Sequence, residues 1–289
     1  MTRKVAIVTD TVASVPLEIQ QKYSISIVPL HIILNSKDLG EESIDREQFR
    51  KWNKYKDNLP MTSVPSIGEV VETWQKLAVQ GYDILHIAMS SRMGMEYSIA
   101  LQARSLIQSE LPDVAIEVID SFSAQAAEMF VVIEAAKAAR EGKALADVVK
   151  IAGNMVERVS QFYLLDTLYN LVRGGRGNRI KIWDGAALSM KPILELGAHT
   201  DGVMAPLARV RTKAKGIEQM VEVLKERVGS KNLHAGITVG DVPDEAHILK
   251  ERLTMQFQIV ELYFLEGSIV ADVHDGPGAL RLGFYAEDK

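Results

Sequence analysis

The sequence of 289 residues contains no cysteine, no dense block of basic residues and no long uncharged apolar run. The absence of cysteine excludes disulfide bonds, thiolate catalysis and cysteine-ligated zinc or iron–sulfur sites. With a net charge of -5 and no basic block, the chain lacks the electrostatic footprint of proteins that bind nucleic acid or anionic membranes. Because no charge-free stretch of about 18 residues is present, no stable membrane insertion is predicted.

Several motifs of enzymes are absent as well. No G-x-x-x-x-G-K-[ST] sequence is present and no G-x-G-x-x-G follows a predicted strand, which argues against binding of ATP or a dinucleotide by the chain itself. No G-x-S-x-G pattern is present, so a hydrolase with Ser91 or Thr62 as nucleophile and His274 as base is only a minor alternative. The other histidines lack metal-ligand spacing and are predicted to be structural or on the surface: His31, His86, His199, His234 and His247.

The remaining composition is that of an ordinary globular protein. Hydrophobic residues make up 47% and charged residues 25% of the chain, which is typical of soluble domains. The first ten residues, MTRKVAIVTD, contain too short an apolar run for a secretory signal peptide. These features predict a cytoplasmic protein.

Predicted strands and helices alternate in the first half of the chain. Short apolar runs that indicate buried strands occupy residues 5–9, 84–89 and 114–119. Ser66 and Glu69 fit a capping box and predict a helix from residue 67 to about residue 80. Polar loops are predicted at residues 35–42 and 60–66. The alternation indicates βαβ units and a doubly wound parallel sheet.

The second half has a different pattern. Three strand-like runs follow one another near its end, at residues 258–265, 269–274 and 279–285. Consecutive strands without intervening helices favour antiparallel pairing in an α+β unit. The sequence therefore predicts an α/β fold, with a doubly wound parallel-sheet domain over residues 1–155 followed by an α+β domain over residues 156–289.

Two clusters of hydroxyl side chains lie where a predicted loop or strand meets a helix. Ser90 and Ser91 end the strand at residues 84–89, and Thr62 and Ser63 precede the helix that begins after Ser66. Hydroxyls and unpaired backbone N–H groups at a helix start can bind an anion. The alternative for each serine is that it only caps the next helix.

Six spaced motifs are similar to those of the DegV family, the bacterial fatty-acid-binding proteins of fatty acid kinase systems. The motifs are Val8-Thr9-Asp10-Thr11, Thr62-Ser63-Val64-Pro65-Ser66, Ser90-Ser91, Val118-Ile119-Asp120-Ser121, Arg173-Gly174-Gly175-Arg176 and His274-Asp275-Gly276-Pro277-Gly278. The resemblance covers nearly the whole chain. It implies a two-domain protein, itself not an enzyme, with a long-chain fatty acid such as palmitate, stearate or oleate in a tunnel between the domains. It also implies a partner, an ATP-dependent kinase subunit that phosphorylates the bound carboxylate.

The resemblance also implies roles for individual residues. Thr62 and Ser91 would donate hydrogen bonds to the fatty-acid carboxylate, with Ser63 and Ser90 next in line. His274 and a basic residue of the motif that contains Arg173 and Arg176 would complete a polar network around the head group. No cofactor or metal is implied. A lipid-sensing regulatory protein that is not a carrier is the alternative, although the acidic chain and the lack of a helix-turn-helix pattern argue against DNA binding.

Three positions depart from the family pattern. Glu96 would repel a carboxylate unless it points to solvent or pairs with a base such as Arg92. Gln125 replaces a small residue after the Asp-Ser motif and would place an amide in the tunnel. Val64 removes a donor from the head-group loop. These departures predict a modified tunnel and an altered preference among acyl chains.

Overall fold

The computed structural model describes residues 3–53, 60–176 and 190–287. The strands of these residues are β1 (Lys4–Asp10), β2 (Ser26–Val28), β3 (His31–Leu34), β4 (Lys37–Gly40), β5 (Met61–Ser63), β6 (Tyr82–Ala88), β7 (Ile116–Asp120), β8 (Ser160–Leu164), β9 (Lys191–Leu196), β10 (Ala205–Val210), β11 (Asn232–Val239), β12 (Ile259–Glu266) and β13 (Leu280–Glu287). The helices are α1 (Leu17–Tyr23), α2 (Arg46–Asn53), α3 (Ile67–Val79), α4 (Glu96–Ile107), α5 (Gln125–Arg140), α6 (Leu145–Val156), α7 (Tyr169–Arg173), α8 (Lys213–Val228), α9 (Pro243–Gln256) and α10 (Ile269–Asp275). None of the helices in the described ranges is long and apolar enough to cross a membrane.

The first sheet is parallel, with strand order β2-β1-β6-β7. Alternate residues of β1 point to opposite faces, so that Val8 packs against α3 and α4 while Val5 and Ile7 pack against α5 and α6. Helices therefore cover both faces, as in a doubly wound fold. The predicted α/β class and the parallel sheet of the first half are confirmed.

The second sheet has six strands in the order β10-β9-β8-β13-β11-β12. Four of its five pairings are antiparallel, whereas β11 and β12 pair in parallel and are joined through α9. Helices α8 and α9 pack on one face of this sheet and α5 contacts its other face. The change from the first sheet to the second lies between Val156 and Ser160, and the division of the chain into domains at residue 155 stays a prediction.

One of the three strand-like runs near the end of the chain is a helix. Residues 269–274 belong to α10, so the prediction of a strand there is wrong. Glu41, more than two hundred residues upstream, supplies the cap: its carboxylate accepts hydrogen bonds from the Ile269 N–H (2.6 Å) and the Ser268 hydroxyl (2.8 Å). A carboxylate on the first N–H groups of a helix satisfies donors that otherwise lack partners. This stabilising contact is non-local and cannot be recognised in the local sequence pattern.

A small third sheet, β4-β3-β5, replaces two predicted loops. The loop predicted at residues 35–42 contains β4, which forms a hairpin with β3 because Asn35 and Ser36 both adopt positive φ, as the tight turn requires. The loop predicted at residues 60–66 contains β5. Its Thr62 pairs with Ile32 of β3, so a strand holds this hydroxyl in place.

Helix α5 lies between the two larger sheets and is almost entirely buried. Its first turn rests on Gly236 and Gly283, which are opposite each other on β11 and β13. A Cβ atom at Gly283 would lie 2.4 Å from the Ala127 backbone nitrogen, so only glycine permits this approach. The Ala127 N–H donates to the Gln161 Oε1 on β8 at 3.1 Å. The start of α5 is thus held directly against the second sheet.

Candidate functional site

A cavity of about 420 Å³ opens between the carboxyl ends of β1 and β6 on one side and β8 and α10 on the other. Its volume is within the range of small-molecule sites, roughly 300–1,000 Å³. Apolar side chains make up much of its wall, among them Val12, Leu30, Leu171 and Val270. A second cavity of about 220 Å³ adjoins it and shares four of its lining residues: Thr62, Gly174, Arg176 and His274.

Thr62 and His274 form a hydrogen-bonded pair where the two cavities meet. Thr62 Oγ1 on β5 lies 2.7 Å from His274 Nε2 on α10. Burial lowers the pKa of His274 to about 3, and the positive charge of Arg176 contributes in the same direction. The imidazole is therefore neutral at physiological pH. A neutral ring that donates from Nε2 to Thr62 leaves the Thr62 hydroxyl hydrogen available to a ligand acceptor.

Helix α7 ends against His274. A Cβ atom at Gly174 would lie 2.5 Å from His274 Nδ1, so glycine is needed for this close approach. Arg176 donates from Nε to the Met93 carbonyl (3.0 Å) and from Nη1 to the Gly174 carbonyl (2.6 Å). Its guanidinium thereby places a positive charge beside both cavities. Arg173 lines only the smaller cavity.

The three serines predicted near the head group differ in their positions. Ser63 is exposed, lines the larger cavity and donates to the Val64 carbonyl (3.2 Å). Ser90 is buried and donates to the Gly202 carbonyl (2.6 Å). The Ser91 N–H points to the Asp120 carboxylate, 3.2 Å from Oδ1. Neither Ser90 nor Ser91 is among the described residues that line the cavity, and their contact with a ligand stays a prediction.

Four methionines contribute to the cavity wall: Met89, Met93, Met95 and Met204. Their unbranched side chains are flexible and polarizable, which suits an apolar ligand of variable shape. Met129, in contrast, packs in the core around α5.

Glu96 neither points to solvent nor pairs with Arg92, the two arrangements expected from the sequence. It is fully buried, and its Oε1 lies 3.1 Å from His86 Nε2. Trp74 Nε1 donates to His86 Nδ1 at 3.2 Å, so the neutral imidazole carries its hydrogen on Nε2, facing Glu96. The sequence offered one signal for this arrangement, a histidine within the otherwise apolar run of residues 84–88 in β6.

Two further buried carboxylates, Asp10 and Glu128, lie beside Glu96. Asp10 accepts hydrogen bonds from the N–H groups of Val12 (2.8 Å) and Met89 (2.9 Å). It thereby orders the segments that follow β1 and β6, both of which line the cavity. Burial and then the charge of Glu96 raise the pKa of Asp10 to about 7. Burial, followed by the charges of Asp10 and Glu96, also raises the pKa of Glu128 well above its usual value. These carboxyl groups therefore retain protons well above the pH at which exposed carboxylates ionise.

The cluster of buried carboxyl groups, Asp10, Glu96 and Glu128, leads to a prediction for the Glu128→Gln variant. The difference in unfolding free energy between the variant and the parent protein should depend on pH. A carboxyl group whose pKa is raised by folding stabilises the native state while it stays protonated. That contribution is complete below about pH 4 and is lost as the pH rises through the native pKa. The neutral glutamine should therefore gain stability relative to glutamate as the pH rises, with a slope on the order of 1.4 kcal/mol per pH unit at most.

Urea unfolding of both proteins between about pH 5 and pH 8 would measure that difference. Glu218→Gln is the matched control, because Glu218 is exposed and its hydrogen bond with Lys215 lowers rather than raises its pKa. A constant difference across the pH range would contradict the prediction for Glu128.

Several lining residues were not identified from the sequence as part of the site, among them Tyr163, Met204 and Asp275. Tyr163 is on β8, where it stands between Phe162 and Leu164 in the sequence. A phenol between two apolar residues was the available signal. Gln125, singled out as a departure from the family pattern, does line the cavity.

Comparisons with known proteins agree with this fold. Residues 4–287 match the DegV family, which is described as a family of uncharacterised proteins. A DegV domain-containing protein of Clostridium perfringens is 31% identical over 98% of this chain and 99% of its own length. The crystal structure of DegV from Bacillus subtilis, described as a fatty acid binding protein, has a TM-score of 0.86 with 28% identity, covering 99% of this chain and 100% of the other. A stearic acid-binding protein from Eubacterium ventriosum shares the fold at 21% identity, with a TM-score of 0.88 and 98% of each chain covered.

Proposed function

The chain belongs to the DegV family, and from that premise we propose that it binds a long-chain fatty acid, such as palmitate, stearate or oleate, with its carboxylate near Thr62 and His274. The observation that carries the proposal is the Thr62–His274 pair, a donor at the edge of a largely apolar cavity. The relationship to the Bacillus subtilis fatty acid binding protein supports the same ligand class.

The polar groups at this end of the cavity suit a carboxylate. A carboxylate removed from water needs hydrogen bonds or a nearby positive charge. Thr62 offers a hydroxyl donor, Arg176 a positive charge, and the neutral His274 orients the hydroxyl without adding a charge of its own. Ser91 is proposed as a second hydroxyl donor, one residue before Arg92 in the wall.

The alkyl chain would occupy the apolar part of the cavity, which would form a tunnel between the two larger sheets. Burial of roughly 15 methylene groups at about 0.8 kcal/mol each contributes on the order of 12 kcal/mol before costs. The free-energy costs of association and of ordering the alkyl chain offset much of this gain. The balance is consistent with tight but reversible carriage.

The proposed role of the bound acid is to be a substrate for a separate ATP-dependent kinase subunit. That partner would transfer the terminal phosphoryl group of ATP to a carboxylate oxygen, which gives an acyl phosphate and ADP. The absence of an ATP-binding motif in this chain supports the division of labour. A carboxylate held by hydroxyls and a neighbouring positive charge, rather than by a bidentate ion pair, keeps oxygen lone pairs available for the transfer.

Native mass spectrometry of the protein purified from cells, followed by lipid extraction, tests the proposal. We expect a mass increment equal to one fatty acid, and recovery of that acid in the extract. If no acyl chain co-purifies and none binds on addition, the carrier function fails.

Substitution of the head-group hydroxyls tests the position of the carboxylate. The Thr62→Val, Ser91→Ala double variant should lose about 2–4 kcal/mol of affinity, roughly 30- to 1,000-fold, because the carboxylate would remain partly unsatisfied. The measurement is isothermal titration with stearate, with both single variants included. Thr73→Val, on the outer part of α3 and away from the cavity lining, is the control and should bind as the parent does. Unchanged binding by the double variant would place the head group elsewhere.

A further inference from the structure

The six-stranded sheet ends on one side at β12, and the outer edge of this strand opens into a groove. The groove has a volume of about 1000 Å³ and lies between β12, the start of α1 and the segment that joins β4 to α2. Of the described strands, only β11 pairs with β12. The groove is separate from the head-group site, since none of its described lining residues also lines either of the two cavities there.

The hydrogen-bond pattern of β12 determines which backbone groups face outward. Gly267 donates its N–H to the Val239 carbonyl of β11 (3.2 Å), and Val239 is opposite Glu266. Along a strand, residues that bond to one neighbour alternate with residues whose backbone groups point to the other side. The N–H and C=O groups of Leu262, Phe264 and Glu266 therefore point away from β11, and no described strand pairs with them.

This edge lacks the usual protection against pairing with another chain. Edge strands of native sheets commonly carry proline, lysine or a β-bulge. Strand β10, at the opposite edge of the same sheet, has Pro206 and a shift in register between Pro206 and Ala208. Strand β12 has one irregularity at its start and then a regular register from Glu261 to Glu266, without proline or lysine. That part of the edge can accept an added strand.

The charged side chains around the groove are mostly acidic. Glu18 on α1 and Glu42 before α2 are exposed and form no ion pair with a described residue. Glu266 pairs with Arg46, the one basic side chain among the described residues that line the groove. Unpaired carboxylates attract a basic chain and repel an acidic one. Pairing of β12 with a second copy of itself is disfavoured, because it would bring two acidic grooves together.

The two faces of β12 offer different contacts to a strand at its edge. Phe264 lies on the face toward α9, where its ring packs against His247 with centroids 4.9 Å apart, and it is still 38% exposed. Glu18 lies toward the other face, because α1 contacts α5, which covers that face. Successive side chains of an extended chain point to opposite faces. A chain in which apolar and basic residues alternate therefore matches both faces at once.

We propose that β12 is a docking edge for an extended basic segment of a partner protein, which adds to the six-stranded sheet as a further strand. The outward groups of Leu262, Phe264 and Glu266 supply the backbone hydrogen bonds, as in other cases of strand addition. The acidic groove selects lysine and arginine over acidic residues. Docking at this edge does not require a bound lipid, so a negative result would leave the fatty-acid function untouched.

A synthetic peptide tests the docking edge directly. The probe is a dye-labelled, capped peptide of about seven residues in which lysine alternates with valine. Its binding is measured by fluorescence anisotropy at low salt, where surface charges are least screened. We expect a dissociation constant below about 100 µM, and at least tenfold weaker binding of a peptide with glutamate in place of lysine. Equal binding of the two peptides, or binding of neither, would overturn the proposal.

N-methylation of the peptide shows whether backbone pairing is responsible. Methylation of one set of alternate residues, the set that faces β12, should weaken binding at least tenfold, whereas methylation of the other set should have little effect. Hydrogen exchange locates the edge, because the Leu262, Phe264 and Glu266 amides should become protected only with peptide present. The Tyr263 and Leu265 amides, which face β11, should be protected in both states. Protection that instead rises with protein concentration alone would identify a second copy as the occupant and disprove the proposal.

Variants of the protein separate the backbone edge from its charges. Phe264→Pro removes one outward N–H without breaking the ladder to β11, and it should bind the lysine peptide at least tenfold more weakly than Phe264→Ala, which keeps that N–H. The Glu18→Gln, Glu42→Gln double variant should bind about threefold to tenfold more weakly than the parent. Its control of equal net charge is Glu218→Gln, Glu222→Gln on α8, which should bind as the parent does. Equal losses in both double variants would mean that net charge alone attracts the peptide, and the docking edge would be wrong.

Discussion

Replacement of Gly283 by alanine should destabilise the protein by about 3 kcal/mol. The new Cβ would lie 2.4 Å from the Ala127 nitrogen and 2.6 Å from the Ala126 carbonyl carbon. These are backbone atoms of α5, which cannot rotate away as a side chain could. Overpacking of a core costs about 1–3 kcal/mol and occasionally more, and contact with backbone belongs at the upper end of that range.

Thermal unfolding measures the effect, and the melting temperature should fall by about 6 °C or more. Gly153→Ala is the control, because a Cβ in that position of α6 would meet no heavy atom within 4 Å. Alanine in a helix interior should there raise stability by about 0.5–1 kcal/mol. If Gly283→Ala had the same melting temperature as the parent protein, the direct contact between α5 and the second sheet would be disproved.

Arg281→Met should have an effect of similar or larger size, about 3–5 kcal/mol. The guanidinium is fully buried and donates to Asp275 (2.6 Å) and Asp272 (2.6 Å). Removal of one partner from a buried ion pair leaves an uncompensated charge, and here two carboxylates lose their partner at once. The loss of stability arises because two carboxylates are left without the guanidinium, and it does not measure the net strength of the original ion pairs.

Urea unfolding at neutral pH would quantify the loss for Arg281→Met. Lys51→Met is the control, since Lys51 forms an exposed ion pair with Glu47 on α2 and its removal should leave the stability essentially unchanged. A loss of less than about 1 kcal/mol for Arg281→Met would show that Asp272 and Asp275 do not depend on it.

Elements with complete local signals were predicted well. The capping box of Ser66 and Glu69 is present, and α3 begins at Ile67 as expected. Helix α8, Lys213–Val228, has signals of the same local kind, a threonine cap at Thr212 and a regular apolar stripe. The parallel sheet followed from alternation of strands and helices over more than a hundred residues. In each case the physical cause lies within a short window of sequence.

The errors occur where distant residues decide the structure. Helix α10 depends on Glu41, and β5 exists because β3 offers it an edge. The pairing of Glu96 with His86 joins the start of a helix to the middle of a buried strand. No periodicity within one segment contains that information, since the partners come together only on folding.

The site shows the same division. The family resemblance predicted that Thr62 and His274 belong to one polar network. In the structure Thr62 Oγ1 lies 2.7 Å from His274 Nε2. The positions of Ser90 and Ser91 relative to a ligand could not be deduced, because either serine can cap a helix or order a loop. The cavity could not be predicted either, because its shape is determined by three sheets at once.

The cap that Glu41 provides to α10 has a kinetic consequence for the head-group site. His274 is on this helix, so the imidazole keeps its position only while the segment around Glu41 stays docked. Arg46, five residues further on, also holds the Gly267 carbonyl at 2.6 Å. We therefore expect these two stretches, distant in the chain, to open and close as one cooperative unit, so that amide protons at the start of α10 exchange with solvent at the rate at which the Glu41 segment is released.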